Sequence, residues 1–417
     1  MQLEALKSLR SHRAVRGLVR ATGGECHLVG GVVRDRLLGL AVRDLDAVVA
    51  GSGAEVAERL AAELRARLVR LGGKEFAAFR LVARRWVLDL WDREGASLEA
   101  DLLRRDFTVN ALAWAPAGGA FADPCGGLDD LARRVLRAAT PASFTGDPLR
   151  VLRLPRLLVQ LPGFTADEET VALARASAPA LPAVAAERVR EELALILGNA
   201  EAHRGVELLA RLEVYPPLWL GGAGRSGEPA AALALLRALP AAAERLRELA
   251  PDVARGLDLA PAAWAATFLP LPDPPAALER FREAGYLTRR LAERVQLLLH
   301  LGNSAPEDDR GRRRFLHAAG PAWPAVAVLL GARAAAAGSS DAWERALRPL
   351  VELARREGAA LFVPPRLLSG EEVQALLGVP PGPAVGRALA AVREAQVEGS
   401  VRGREDAMRV VRGLREG

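Results

Sequence analysis

Gly30-Gly31-Val32-Val33-Arg34-Asp35-Arg36-Leu37-Leu38-Gly39, with Asp44-Leu45-Asp46 just beyond it, sets a phosphate cradle beside a metal clamp. The two glycines follow the apolar run His27 to Val29. They allow a tight turn into a helix whose first N–H groups lack intrahelical partners and so favour an anion such as a triphosphate. Asp44 and Asp46 open a second apolar run ending Ala47-Val48-Val49. In a strand, residues i and i+2 share a face, so the two carboxylates converge. Hard oxygen ligands beside phosphate-binding amides suit Mg²⁺, and a two-metal arrangement would activate a hydroxyl and steady a leaving pyrophosphate. The chemistry expected is nucleotidyl transfer. Asp35 is expected to serve the helix dipole, whereas Arg34 opposes it and is a candidate phosphate ligand. A lone Gly-Gly turn or a lone Asp-x-Asp is more often a loop or a solvated strand end, and it is their adjacency that points to a site.

The 417 residues carry a formal net charge of +6, and half of them are hydrophobic. That length predicts two to four domains with ample core. Arginines interrupt the apolar runs throughout, so none approaches the roughly 20 residues of a membrane span. Met1 to Arg20 lacks the pattern of a secretory signal. Cys26 and Cys125 are the only cysteines, too few and too far apart in sequence to suggest a disulfide framework or zinc site, and a cytoplasmic location is expected. Lys7 and Lys74 are the only lysines, so the positive charge is almost wholly arginine. A nucleic acid fits that charge, although base-composition bias or thermal adaptation accounts for such a composition equally well. The five histidines are scattered and none adjoins an aspartate, which speaks against a histidine-based metal hydrolase domain.

Residues 25 to 115 read as mixed α/β, with strands expected near 26 to 29, 44 to 50, 77 to 83 and 86 to 91. A helix is expected over Glu55 to Val69, where Val56, Leu60, Leu64 and Leu68 recur every four residues. Strand signals end after Trp114. From about residue 128 the spacing predicts helices throughout, with breaks at Pro270 to Pro275 and Gly302 to Gly311.

Two further clusters carry chemistry. In Asp101-Leu102-Leu103-Arg104-Arg105-Asp106-Phe107-Thr108-Val109-Asn110, Arg105 suits a phosphate, and Asp106 and Asn110 suit ribose hydroxyls. The bland alternative has Asp106 capping a helix and Arg104 facing water. In Asp147-Pro148-Leu149-Arg150-Val151-Leu152-Arg153-Leu154-Pro155-Arg156, arginines every three residues give a basic stripe on a helix. Asp147 and Arg150 together would accept from and donate to the edge of cytosine or adenine, whereas uracil and guanine would aim an acceptor at the carboxylate. Asp followed by Pro is also a good start to a helix, so capping competes with base selection.

These three motifs, in this order, resemble the class II tRNA nucleotidyltransferase and bacterial poly(A) polymerase family of the DNA polymerase beta superfamily. The likeness covers roughly residues 26 to 200. It includes Asp123-Pro124-Cys125-Gly126-Gly127, similar to the family's connecting turn, and Glu187-Arg188-Val189-Arg190-Glu191-Glu192, similar to a structural helix motif. A weaker likeness, at Gly378 to Gly386, is to part of the tRNA-gripping tail. The resemblance implies an α+β fold: a nucleotidyltransferase head over 1–127, then a helical neck (128–200), body (201–330) and tail (331–417), seahorse-shaped as a whole. It implies that Asp44 and Asp46 bind Mg²⁺, that Gly31 and Arg34 hold the triphosphate, and that Arg105, Asp147, Arg150, Arg153 and Arg156 line the nucleotide site. The implied partners are the 3′ end of tRNA, CTP and ATP, with neither membrane nor protein partner.

Departures from the family bear on the product. Gly146 stands where many members carry Glu, and Pro155 is expected to interrupt the arginine-bearing helix. Only Leu90 to Leu103 separate Asp89 from Arg104, where members that switch from C to A carry a longer flexible loop. That shortening resembles the CC-adding members. The alternatives are full CCA or A addition, then poly(A) synthesis, and outside enzymes a tRNA-binding protein that has lost turnover. Asp89 is a further carboxylate at a strand centre, not assigned to the site.

Overall fold

The computed structural model describes residues 2–42, 44–71, 78–92, 97–220 and 229–414. They form two compact units, one of residues 1–185 with 211–214, the other of 186–210 with 215–417.

The first unit is built on a seven-stranded mixed sheet. Its strands are β1 (Cys26–Val29), β2 (Asp44–Val49), β3 (Arg67–Leu71), β4 (Ala78–Val82), β5 (Val87–Asp92), β6 (Ala113–Trp114) and β7 (Phe121–Ala122), in the order β3-β4-β5-β2-β1-β6-β7. Only β2 and β5 run parallel, with Asp44 opposite Val87 and Asp46 opposite Asp89. The helices are α1 (Gln2–Lys7), α2 (Arg13–Ala21), α3 (Gly31–Leu37), α4 (Gly53–Leu64), α5 (Leu98–Leu103), α6 (Gly127–Arg133), α7 (Ser143–Gly146), α8 (Arg150–Gln160) and α9 (Glu168–Ser177). Two short strands, β8 (Val135–Leu136) and β9 (Thr165–Ala166), pair in parallel.

The strands expected around 26 to 29, 44 to 50 and 86 to 91 are present. Residue 77, the start of the strand expected at 77 to 83, lies outside the described residues, as does the 93–96 part of the short connection between Asp89 and Arg104. The helix expected over Glu55 to Val69 is α4, which starts earlier, capped by Ser52, and stops at Leu64. Val56, Leu60 and Leu64 form its buried stripe. Leu68 lies instead in β3, opposite Leu81, because Arg65 turns left-handed (φ 54°) and the chain pairs with β4. A four-residue spacing cannot register such a stop. Strand structure also continues past Trp114, in β7, β8 and β9. These pieces are two residues each, too short to leave a periodicity.

Asp123 accepts from the N–H groups of Gly127 and Leu128 at 2.7 and 3.0 Å and so starts α6. A Cβ on Gly127 would sit 2.2 Å from the carbonyl oxygen of Thr108, so only glycine fits there.

The second unit is helical: α10 (Ala186–Leu197), most of α11 (Ala202–Arg211), α12 (Ala230–Leu249), α13 (Ala260–Phe268), α14 (Pro274–Glu283), α15 (Arg289–Leu301), α16 (Asp309–Ala319), α17 (Trp323–Ala336), α18 (Ser340–Glu357), α19 (Ala359–Phe362), α20 (Gly370–Leu377), α21 (Pro383–Glu398) and α22 (Arg404–Gly413). The breaks expected at 270 to 275 and 302 to 311 fall between α13 and α14 and between α15 and α16. Trp219 is fully buried, stacks on Tyr215 at 4.7 Å and donates to Thr267 at 2.8 Å. The helical segment Asp309–Ala336 has the length and mean hydropathy of a membrane span, which the interrupted apolar runs did not suggest. It is 67% buried within the protein over its most apolar window, as a core helix is.

Candidate active site

The sequence around Gly30 folds as its composition requires. Gly30 adopts φ 71°, ψ −130°, a region open only to glycine, and precedes α3. Gly31 and Val32, the first helical residues, carry N–H groups with no intrahelical acceptor and line a cavity of about 500 Å³. The same cavity is lined by Arg34, Asp44, Asp46, Arg105, Asp106, Asn110, Arg153 and Arg156. A Cβ on Gly30 would stand 2.6 Å from the Arg105 guanidinium, so the glycine also makes room for that side chain. Gly30→Ala is therefore expected to cost about 1–3 kcal/mol of stability from the backbone alone and to raise the KM for nucleotide by displacing Arg105. Thermal melts alongside nucleotide titration check this, and an unchanged KM would dissociate Gly30 from Arg105.

Asp44 is exposed and Asp46 partly buried, at alternate positions of β2. Burial pushes the Asp46 carboxyl up to about 6; Arg105 opposes the shift, and Asp89 and Asp44 add to it. Asp89 lies opposite Asp46 but is occupied by Arg80, which donates to both of its oxygens at 2.8 Å. Among the described residues, no three His, Cys, Asp or Glu side chains gather as a metal cage. Two carboxylates crowding negative charge at a cavity mouth still fit a divalent ion that draws its remaining ligands from phosphate and water.

Behind the carboxylates lies a buried polar chain. Arg34 is 9% exposed; it donates to Asp35 at 2.7 Å and to the Asn110 side-chain oxygen. Asn110 donates to Asp106 at 2.9 Å, and Arg153 pairs with the other oxygen of Asp106 at 2.8 Å. Burial alone would raise the Asp106 carboxyl. Arg153, Asn110, the Phe107 N–H and Arg150 outweigh it and hold the group at about 2. Asp35 does not act on the helix dipole as expected: α3 begins at Gly31, which puts Asp35 past the first turn, where it pairs with Arg34. Arg105 is held by Asp101 at 3.3 Å and lies 5.8 Å from the Trp91 ring centre, while its buried Nε has no hydrogen-bond partner among the described residues. The site thus combines two carboxylates with arginines anchored on their inner sides, the arrangement a polyphosphate requires.

Known proteins share this architecture. A model described as the poly A polymerase head domain matches residues 26–137, and one described as a probable RNA and SrmB-binding site of polymerase A matches 163–219. A CC-adding tRNA nucleotidyltransferase of Thermus thermophilus is 38% identical over 91% of this chain and 91% of its own length. The chain belongs to the tRNA nucleotidyltransferase family. An A-adding tRNA nucleotidyltransferase of Deinococcus radiodurans is 33% identical over 90% of the chain and 92% of its own. In fold, the chain matches a CCA-adding enzyme solved with CTP at a TM-score of 0.70, 21% identity, and coverage of 99% and 98%.

In this nucleotidyltransferase, nine of the eleven residues singled out from sequence line one cavity: Gly31, Arg34, Asp44, Asp46, Arg105, Asp106, Asn110, Arg153 and Arg156. Asp147 and Arg150 are not among its lining residues. Arg150 donates to the carbonyls of Ser143 at 2.8 Å and Arg104 at 2.7 Å, and Asp147 accepts from the Leu149 N–H at 3.2 Å. Asp147 thus braces the turn ahead of α8, whose N-cap, Leu149, receives no side-chain cap, and Arg150 is tethered in the first turn of the helix. Pro155 does not interrupt that helix, which runs unbroken from Arg150 to Gln160 with Pro155 buried inside it, one backbone bond fewer being offset by packing. Gly146 has open space where a Cβ would stand. Sequence reasoning missed Gly30 as the residue that seats Arg105, although any glycine opening such a turn is a candidate for a positive φ. It gave Asp106 and Asn110 to ribose hydroxyls, whereas both are buried and anchor Arg153 and Arg34, because neither spacing nor composition signals a buried ion pair.

Proposed function

We propose that this enzyme adds cytidines to the 3′ end of tRNA without a nucleic-acid template, takes CTP as donor, releases pyrophosphate and stops after two additions. One observation carries the reading: a single cavity brings Asp44 and Asp46 together with the start of α3 and with Arg34, Arg105, Arg153 and Arg156. Asp44 and Asp46 would hold the divalent metal, taken to be Mg²⁺ for its oxygen-ligand preference. When bound, such an ion neutralises the triphosphate and makes the attacking hydroxyl more acidic. The N–H groups of Gly31 and Val32 and the four arginines bind and orient the phosphates, which leaves the 3′ hydroxyl in line with the scissile bond.

Base choice falls to Arg150, one turn ahead of Arg153 on α8, and to Asp147 in the turn that precedes that helix. The carboxylate accepts from the cytosine amino group and the guanidinium donates to its ring nitrogen, once Arg150 exchanges its carbonyl acceptors for the base. Residues 1–127 serve as the catalytic head, 128–200 as the base-recognition neck, and 201–330 and 331–417 as body and tRNA-binding tail. The setting is the cytoplasm. Restriction to C rests on the short connection between Asp89 and Arg104 and on the likeness to the Thermus CC-adding enzyme. The Deinococcus relative keeps A addition as the competing product, with ATP as donor.

The test supplies tRNA lacking its 3′ end with Mg²⁺ and CTP, ATP or both, and sizes the products. Two added nucleotides, with or without ATP, are expected. Three with both donors would make this a CCA-adding enzyme, one with ATP on a CC-ended tRNA an A-adding one, and a long ATP ladder a poly(A) polymerase. In the same assay, Asp147→Ala should admit UTP at a rate within about tenfold of CTP, since a lost repulsion of a few kcal/mol separates the two.

A further inference from the structure

The sheet edge beside the catalytic carboxylates carries arginines that the nucleotide cavity does not use. In register, Asp44 lies opposite Val87, Val87 opposite Val82, and Val82 opposite Arg67, one row across β2, β5, β4 and β3. Paired residues point to the same face, so Arg67 shares the face of Asp44. Beyond Val82 the chain turns through Arg84 and Arg85, closed by the Ala83 N–H donating to the Trp86 carbonyl. The Trp86 ring meets the edge of His12 at 6.1 Å, which brings the start of α2, with Arg13 and Arg16, to the same corner. All five arginines are exposed. None forms a salt bridge with a described residue.

We propose that Arg67, Arg84 and Arg85, flanked by Arg13 and Arg16, form a track for the phosphodiester backbone of the RNA substrate close to its reacting 3′ end. Exposed arginines without acidic partners are hydrated and free to exchange counterions, the condition under which a polyanion binds by counterion release. The row sets the reach: three strand spacings, roughly 14 Å, separate Asp44 from Arg67. That distance corresponds to a few nucleotides of backbone, so the track meets acceptor-end phosphates and not the distant arms of a folded RNA. Carbonyl and amide groups of a protein partner would not require five exposed arginines without acidic partners, and the neighbouring carboxylate site already handles RNA on the proposed reading, on which this inference rests.

The experiment replaces Arg67, Arg84 and Arg85 together by Ser. None of them lines the nucleotide cavity, and none adopts a positive φ, so the fold should tolerate the change. Binding of tRNA lacking its 3′ end, and of an acceptor-stem minihelix, is measured by fluorescence anisotropy from 50 to 300 mM salt, alongside the KM for RNA and for CTP. The Kd for both RNAs should rise at least tenfold. The salt slope should fall by about two to three, close to one per lost phosphate contact. The KM for CTP and kcat should stay within twofold. An unchanged Kd and slope, or a loss confined to full-length tRNA, would overturn the track. Weakened binding to anionic lipid vesicles with RNA binding intact would assign the patch to a membrane and overturn it equally. If the wild-type protein binds the RNAs but incorporates no nucleotide, the proposed activity fails, while the binding comparison still decides the track.

Discussion

Asp44→Asn and Asp46→Asn will each lower nucleotide incorporation by at least about a thousandfold if, as proposed, each carboxylate is a charged oxygen ligand worth several kcal/mol of transition-state stabilisation. The loss will fall on kcat, since the arginines proposed to bind the triphosphate stay in place. tRNA binding by either variant should remain within twofold of wild type, which separates this enzyme from a binding protein that has lost turnover. The metal-free Asp46→Asn protein should melt at or above the wild-type temperature. The sign follows from the carboxyl itself: its folded value of about 6 lies above the ordinary value near 3.8, so the metal-free fold binds the proton more tightly than the unfolded chain does. The stability due to this group is present below about pH 4 and is lost as the pH rises through 6. An isosteric amide removes that penalty. Incorporation that survives either substitution would refute the metal assignment, and a large fall in melting temperature would make the carboxylate structural.

Asp106→Ala should be the most damaging change for the fold among the site residues. It leaves the Arg153 guanidinium, Asn110 and the Phe107 N–H facing a void, and breaking a buried ion pair by deleting one partner costs about 3–5 kcal/mol. Through Asn110 it also loosens Arg34, so the KM for nucleotide should rise in whatever fraction remains folded. Asp106→Asn keeps the shape and tests the charge alone. The pH dependence has the opposite sign to that of Asp46. A folded value near 2 against an ordinary 3.8 means that this carboxylate stabilises the fold above about pH 4 and ceases to do so as the pH falls towards 2. Acid denaturation of wild type and Asp106→Asn, followed by circular dichroism, should therefore show a steeper loss in wild type between pH 4 and 2. Parallel profiles would remove Asp106 from the list of groups that tie the site together.

The two aspartates and the glycines were legible because their chemistry and their geometry are both local. A period of two puts Asp44 and Asp46 on one face whatever surrounds the strand, and a Gly-Gly turn before a helix presents N–H groups wherever it occurs. Arg153 and Arg156 were legible for the same reason, a spacing of three on one helix. The stop of α4 at Arg65 and the crossing of Leu68 into β3 were not, because they depend on pairing with β4, where Leu68 meets Leu81 from a separate stretch of the chain. Nor was the passage of α8 through Pro155, where buried neighbours compensate a bond the ring cannot make.

Residue types and their spacing were enough to mark candidate ligands for a metal and for phosphate, and to show that arginine supplies nearly all the positive charge. How each arginine is used follows from the fold. Arg34 and Arg153 are anchored by Asn110 and Asp106, Arg150 is tethered to backbone carbonyls, Arg80 is taken up by Asp89, and Arg67, Arg84 and Arg85 remain exposed. A guanidinium reads the same at every position in the chain. What it does is set by the acceptors that folding brings within about 3 Å of it, and in a mixed sheet those acceptors come from strands and helices far apart in sequence.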